Sequence, residues 1–507
     1  MTRFDLSRRD FVRTVLASSA LGWLEPPALA LALGDSKRLS FLANGTAGAE
    51  GCWRVMKIEG KIPAELNGTL YRTAPGQAEN HGVVLRHIFD GDAYVSGWSF
   101  REGRAWMAGR FVETPEREVE LKAGRMQYSE FGTNPPNDDG SPGPRRRDKN
   151  QPSVNLIHWD GQLLGLSEGG PPTAIDPQTL RFKSRWDFHG TMPPHSFTAH
   201  PKFDPSSGEG YAWGISRERG PTLMVYRLEA DGKATPLHQV PLRGAFMVHD
   251  MALTKEHLVF LVPPLFFDRA SMQKRTATPA DALTYDPNQP IQLIVLGRAH
   301  GGSVRRFELP GGVLYHHGNA FVEGSILTMD TFLSDDNSLN ELLGSFSAPK
   351  LEGAMSSATT RLRFNLEKGE LVERRKISEN QEFPRFDERR TGQDVRYLFT
   401  AEASSREDPL VFTHLRRQDL LTGDSLRKPA KEGRALGEPV FVPRPDGDEE
   451  LDGWVLQQGF DGERSVSFIE IRDAGTLDLA ARVWSPTNVP LGFHGNFVPN
   501  VFLDPPN

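Results

Sequence analysis

The stretch "AYVSGWSFREGRAWMAGRFV", residues 93–112, decides the fold class. Two runs rich in Val, Trp, Phe and Tyr flank a Glu-Gly pair, the pattern of two antiparallel strands around a tight turn whose glycine supplies positive φ. The motif recurs. "NLIHW" (155–159), "DG" (160–161) and "QLLGLSE" (162–168) form a second hairpin, and "TLMVYRLEA" leads into "DG" at 231–232. "SVSFIEI" (465–471) and "AGTLDLAARVW" (474–484) repeat the theme. Turn signals roughly every 8–12 residues predict an all-β fold, either a sandwich, a barrel or a propeller. Glycine (49) and proline (38) make up about a sixth of the 507 residues, which favours turns over long helices. No WD or kelch-type repeat is present, so a propeller reading requires irregular blades.

Composition excludes several classes. The net charge of −7 leaves no basic footprint for nucleic acid. The single cysteine, Cys52, rules out an internal disulfide and a thiolate metal cluster. At the N-terminus, "SRRDFV" (7–12) precedes a mildly apolar stretch from Val15 to Leu24, then "ALA" at 28–30. This resembles a bacterial twin-arginine (Tat) export signal, matched at Ser7, Arg8, Arg9 and Phe11. Removal through Ala30 takes away four basic and three acidic residues and leaves −8. The expectation is a signal over residues 1–30, export by the Tat machinery to the periplasm, and one large domain over 31–507. No other apolar run approaches the roughly 20 residues that span a bilayer.

Several segments interrupt the strands. The polar, Pro-rich 133–150 loop carries three arginines that read as a solvated turn. Residues 263–283 and 338–346 mix apolar and helix-forming residues and are suited to cover a cleft.

Four of the fourteen histidines stand near apolar residues, mostly with Gly, Pro, Ala or Asn close by: His200 in "HSFTAHPKFDP", His249 in "MVHDMALT", His316 in "YHHGNAFVEG" and His494 in "PLGFHGNFVPN". None forms a His-x-x-x-His pair, so any shared site has to be assembled by the fold. By spacing alone, scattered histidines are structural.

The local motifs around them, in order and with their flanks, resemble the carotenoid cleavage oxygenase family. The resemblance runs from "GTLYRTAPGQ" (68–77) through "HIFDGDA" (87–93) to "GFHGNFVP" (492–499), most of the chain. It implies a seven-bladed β-propeller with a helical and loop dome over one face and Fe(II) on the axis. The implied ligands are His200, His249, His316 and His494; the family pattern places the third ligand three residues before the Asn of "HHGNA", which selects His316 over His317. Imidazole nitrogen suits Fe(II), and four neutral ligands differ from the two-His-one-carboxylate triad.

The family also orients its histidines with three glutamates, matched here by Glu168 in "LLGLSEGGPP", Glu382 in "ENQEFPRFD" and Glu438 in "LGEPVFV". Val322 stands where the family often has a glutamate, so Glu323 receives no role. The implied reaction uses O2 to cleave a carbon–carbon double bond of a hydrophobic polyene into two carbonyl products. A stilbene-cleaving branch places a Tyr and a Lys on the substrate's phenol; Phe111 and Ser167 hold those positions here, which favours a carotenoid or apocarotenoid. Two further functions fit the same resemblance: a pigment- or lipid-binding propeller without turnover, and the isomerisation or ester chemistry of the animal visual-cycle branch. That branch contacts membranes, and "PPLFFDRASM" (263–272) is a candidate peripheral patch with a buried lid as its plainer reading.

Overall fold

A computed structural model describes residues 35–193, 195–348, 352–403 and 411–506. The twin-arginine segment lies outside the described residues. The chain is mostly strand, and the expected hairpins form: Ala93–Arg101 pairs with Arg104–Phe111, and Asn155–Trp159 with Gln162–Leu166. Both turns use consecutive positive-φ residues, Glu102–Gly103 and Asp160–Gly161, the backbone twist that suits two-residue hairpin turns.

The strands group into antiparallel sheets. The first has the order Gly51–Arg54, Arg104–Phe111, Ala93–Arg101, Gly68–Pro75, Gly495–Pro499, so the C-terminal strand completes a sheet otherwise made near the N-terminus. Four four-stranded sheets follow, starting on edge strands Asn155–Trp159, Lys202–Phe203, Ala252–Leu253 and Val313–Glu323. The remaining long path divides into two groups, one starting at Gln381–Arg385 and one at Arg434–Pro443. Among the described residues, the strand pairing that joins them is the single pair Phe412↔Leu436.

Burial explains the sequence pattern. Gly68–Pro75 and Gly453–Asp461 are buried at every position, because each sheet is covered on both faces. Outer strands such as Val304–Leu309 and Ser425–Pro429 alternate between exposed and half-buried residues. Neighbouring groups share buried apolar clusters all the way round. The first and second share Val95, Leu156 and Leu163, and later pairs continue in order. The last group then packs on the first through Leu70, Trp98, Val440, Trp454 and Ile469.

The smaller segments sit where cover was expected. Residues 263–285 form the strand pair Leu265–Phe267 and Leu283–Tyr285 with two short helices, and Ser338–Gly344 is helical. Leu265, Leu283, Leu339 and Leu342 join one apolar cluster with Tyr315 and Phe493, next to the candidate histidines. Among the described residues no helix is long and apolar enough to cross a membrane.

Candidate metal centre

Each candidate histidine lies on, or just before, the edge strand of a different sheet: His494 before Gly495–Pro499, His200 before Lys202–Phe203, His249 before Ala252–Leu253 and His316 within Val313–Glu323. Polar contacts link these edges in a ring. Asn496 Nδ2 donates to Leu156 O (2.7 Å), and Asn155 Nδ2 to Ala199 O (2.7 Å). Lys202 pairs with Asp250 (2.9 Å), which also accepts from the His317 backbone N–H (2.9 Å). Arg385 bridges to Glu438 (3.2 Å), which accepts from the Gly495 N–H (3.0 Å).

Two devices aim side chains into the ring. Strand register shifts at His316, at Glu382–Phe383 and at Glu438; such bulges re-aim side chains next to functional sites. Glu168 and Phe383 hold φ of 64° and 59°, strained for residues with a side chain. Gly492 (φ 60°) and Gly495 permit close approach. A Cβ on them would stand 2.4 Å from Thr73 O and 2.2 Å from Tyr71 O.

The four imidazoles converge. His200 Nε2 lies 3.1 Å from His249 Nε2, His249 Nε2 lies 3.2 Å from His316 Nε2, and His316 Nε2 lies 3.1 Å from His494 Nε2. All four rings are buried. The opposite nitrogens of three rings face carboxylates. His316 Nδ1 lies 2.6 Å from Glu382 and His494 Nδ1 2.9 Å from Glu438. His249 Nδ1 stands 2.8 Å from Glu168 Oε1 in an ion-pair contact whose alignment is not that of a hydrogen bond.

This arrangement fits a metal cation. A carboxylate facing Nδ1 retains the proton there and leaves Nε2 as a lone pair. Lone pairs converging at 3.1–3.2 Å repel unless a cation lies among them. Nitrogens about 2.1 Å from one ion stand about 3.0 Å apart at right angles and about 3.4 Å apart at tetrahedral angles. The observed spacing of 3.1–3.2 Å falls between these two values, as a single ion held by these imidazoles would require.

Electrostatics favour neutral imidazoles at two positions. Burial, with the other three rings, holds His200 well below the ordinary histidine range. Burial also outweighs Glu438 and lowers His494 to about 4. At His249 burial is overcome by Glu168, and the pKa rises. Glu438 is itself lowered to about 2, because Arg385, His494 and Arg72 outweigh its burial.

The sequence motifs contained further residues with no assigned role. Arg72, inside "GTLYRTAPGQ", donates to Glu438 (3.0 Å) and to the Leu491 and Phe493 carbonyls. Outside the quoted motifs, Ser357 donates to Glu382 (2.8 Å). Tyr315 and Phe383 pack their rings on His249 and on His316 and His494. Their partners are far away in sequence, so no local pattern marked them. Of the two flanking phenylalanines, Phe493 faces the site cluster, whereas Phe497 joins the apolar contact between the last and first groups. His317 contacts Thr331 through Nδ1. Phe111 packs against Tyr94 and under the Arg117 guanidinium, and Ser167 donates to Asn150 (2.6 Å).

Four buried imidazoles brought to one point by the edge strands of different sheets define a histidine site that can hold a metal ion in a mostly β fold. The chain belongs to the retinal pigment epithelial membrane protein family, whose sequence profile matches residues 47–499. It is similar to apocarotenoid-15,15'-oxygenase of Synechocystis sp., with 29% identity over 463 residues covering 87% of this chain and 92% of the relative. It is also similar to carotenoid 9,10(9',10')-cleavage dioxygenase 1 of Phaseolus vulgaris, with 29% identity over 486 residues covering 87% and 86%. The crystal structure of cobalt-substituted Synechocystis apocarotenoid oxygenase matches with a TM-score of 0.83 at 26% identity, covering 91% of this chain and 99% of that one.

Proposed function

We propose that this protein is a non-haem iron oxygenase that uses O2 to cleave a double bond of an apocarotenoid or carotenoid into two carbonyl products. The observation that carries the reading is the convergence of four Nε2 atoms at 3.1–3.2 Å with carboxylates behind three of the rings. His200, His249, His316 and His494 would hold Fe(II), which supplies O2 binding and activation. Glu168, Glu382 and Glu438 keep the imidazoles in the tautomer and orientation that ligation needs. Tyr315, Phe383 and Phe493 crowd the rings with apolar surface and exclude water; the Tyr315 hydroxyl is directed to Asn340 (3.0 Å). Half-buried Phe89, Phe131 and Phe493 offer flat apolar faces suited to a polyene.

The same reading assigns seven blades to the ring. The single-pair junction at Phe412↔Leu436 supports dividing the long path in two, and the shared clusters support closure of the last blade on the first. It treats 31–507 as one domain, and 1–30 as a Tat signal that delivers a metal-loaded protein to the periplasm. The 263–272 segment would be the place of any peripheral membrane contact for substrate uptake.

Aerobic incubation with a panel of apocarotenals and stilbenes, with products identified by mass, tests the activity. Paired carbonyl fragments from a polyene are expected. Fragments from stilbenes alone would move the assignment to that branch, and tight binding without products would make the protein a carrier.

A further inference from the structure

A buried ionic cluster lies outside the histidine centre. The Lys149 side chain is 0% exposed, and its ammonium meets Asp92 at 2.5 Å, Glu120 at 2.6 Å and Glu130 at 3.7 Å. The three acidic side chains belong to separate segments. Asp92 closes the 87–92 loop, accepts from Gln151 (3.0 Å) and pairs with Arg117 (3.2 Å). Glu120, in the helix Pro115–Ala123, accepts from the Gln127 and Tyr128 N–H groups and from Asn80. Glu130 accepts from the Gly91 N–H (2.5 Å), and its neighbour across the loops, Asp90, accepts from Gly132 N–H (2.8 Å) and Thr133 Oγ1 (2.7 Å). Burying the charged Asp92 and Glu120 without their cation is costly, so the ammonium, which also faces the Glu130 carboxyl, holds these segments together.

The segments it ties carry aromatic rings that lead to the metal centre. Phe89 stands between Ile88 and Asp90, and Phe131 between Glu130 and Gly132. Their centroids are 5.5 Å apart, and Phe89 meets Phe493, the residue before His494, edge-on at 5.3 Å. Phe131 continues to Phe267 at 6.5 Å. All four rings are half-buried while Lys149, Asp90, Asp92 and Glu130 are buried.

We propose that Lys149 is a positioning residue for substrate: by fastening the 87–92 and 126–133 segments it sets the Phe89–Phe131–Phe493 wall, and with it which double bond lies beside the histidines. The inference rests on the oxygenase reading for its substrate, although the coupling of Lys149 to the aromatic wall does not.

The test uses the full chain with Lys149→Met, and Phe131→Leu as comparator. The readouts are bound iron, hydrogen exchange over 86–92 and 126–133, binding of an apocarotenal by tryptophan quenching, and steady-state turnover with product masses. Lys149→Met is expected to keep its iron, lose exchange protection in both segments and bind the apocarotenal more weakly. Its kcat/KM should fall on the order of tenfold or more, chiefly through KM, since small misplacements of a reactant are costly. Products from neighbouring double bonds should appear, as in Phe131→Leu, and the double variant should add little. If Lys149→Met does not fold, Glu120→Gln carries the test, with a smaller shift in the same direction. Unchanged affinity and a single product in a soluble variant, or loss of iron along with protection, would overturn the proposal. Should no polyene be turned over by the wild type, the oxygenase reading fails on its own, and the exchange and binding results still decide the role of Lys149.

Discussion

The two sides of the histidine centre are built differently. On one side, His494 leans on Glu438, whose side chain is 2% exposed and is held by Arg72, Arg385 and the Gly495 N–H. On the other, His249 faces Glu168, which is 26% exposed, sits off hydrogen-bond alignment and holds a strained φ of 64°. His200 has Thr198 Oγ1 on its backbone N–H, and among the described residues no carboxylate pairs with its ring. The difference teaches that the centre has an anchored side, where the last strand pairs with Gly68–Pro75, and a more open side toward Glu168.

The strongest way to break this comparison is to remove the anchored side. Deleting 490–507 takes away His494 and the strand that completes the first sheet, and should abolish both iron binding and cooperative folding, read by metal analysis and thermal unfolding. A truncated chain that folds and keeps its iron would show that the anchor is elsewhere. Next comes Glu438→Gln, which leaves Arg72 and Arg385 facing a neutral group. It should cost about 3–5 kcal/mol of stability and weaken metal affinity about 10–100-fold. Glu168→Gln should weaken metal affinity toward the lower end of that range with little change in stability. Equal losses in the two variants would erase the asymmetry.

A smaller effect is expected at the backbone. Gly492→Ala places a Cβ against Thr73 O at φ 60° and should destabilise by roughly 1–3 kcal/mol, read by denaturant midpoint. A pH slope is expected as well. Burial, opposed by Lys149 and reinforced by Asp90, raises Glu130 to about 8. A carboxyl raised on folding holds its proton in the native state while the unfolded chain has lost it. Stability should therefore fall as pH rises from the ordinary glutamate range through about 8. Glu130→Gln, which mimics the protonated form, should flatten that slope and leave neutral-pH stability nearly unchanged.

The chemistry was more legible in the sequence than the architecture that delivers it. The 93–112 and 155–166 hairpins could be read locally, because two-residue turns and β-rich runs are local signals. His200, His249, His316 and His494 stood out because each sits in its own local motif with apolar neighbours, and the structure brings all four together. What stayed hidden depends on distant partners. Arg72 and Glu438 are 366 positions apart, and nothing near either marks the other. Lys149 closes a loop that reads as solvated, "RRRDK", and its three acidic partners come from other segments. The bulges at His316, Glu382 and Glu438 interrupt strand alternation in a way that period alone does not reveal. Closure by Gly495–Pro499 joins the two ends of the chain and is a tertiary event.

The central claim is that the four imidazoles hold a working iron. It is tested most directly by measuring polyene cleavage per chain against bound iron during stepwise reconstitution. Turnover should rise in proportion to iron and level off at about one iron per chain, with zinc unable to substitute. Cleavage that persists without iron, or that is fully supported by zinc, would contradict the account.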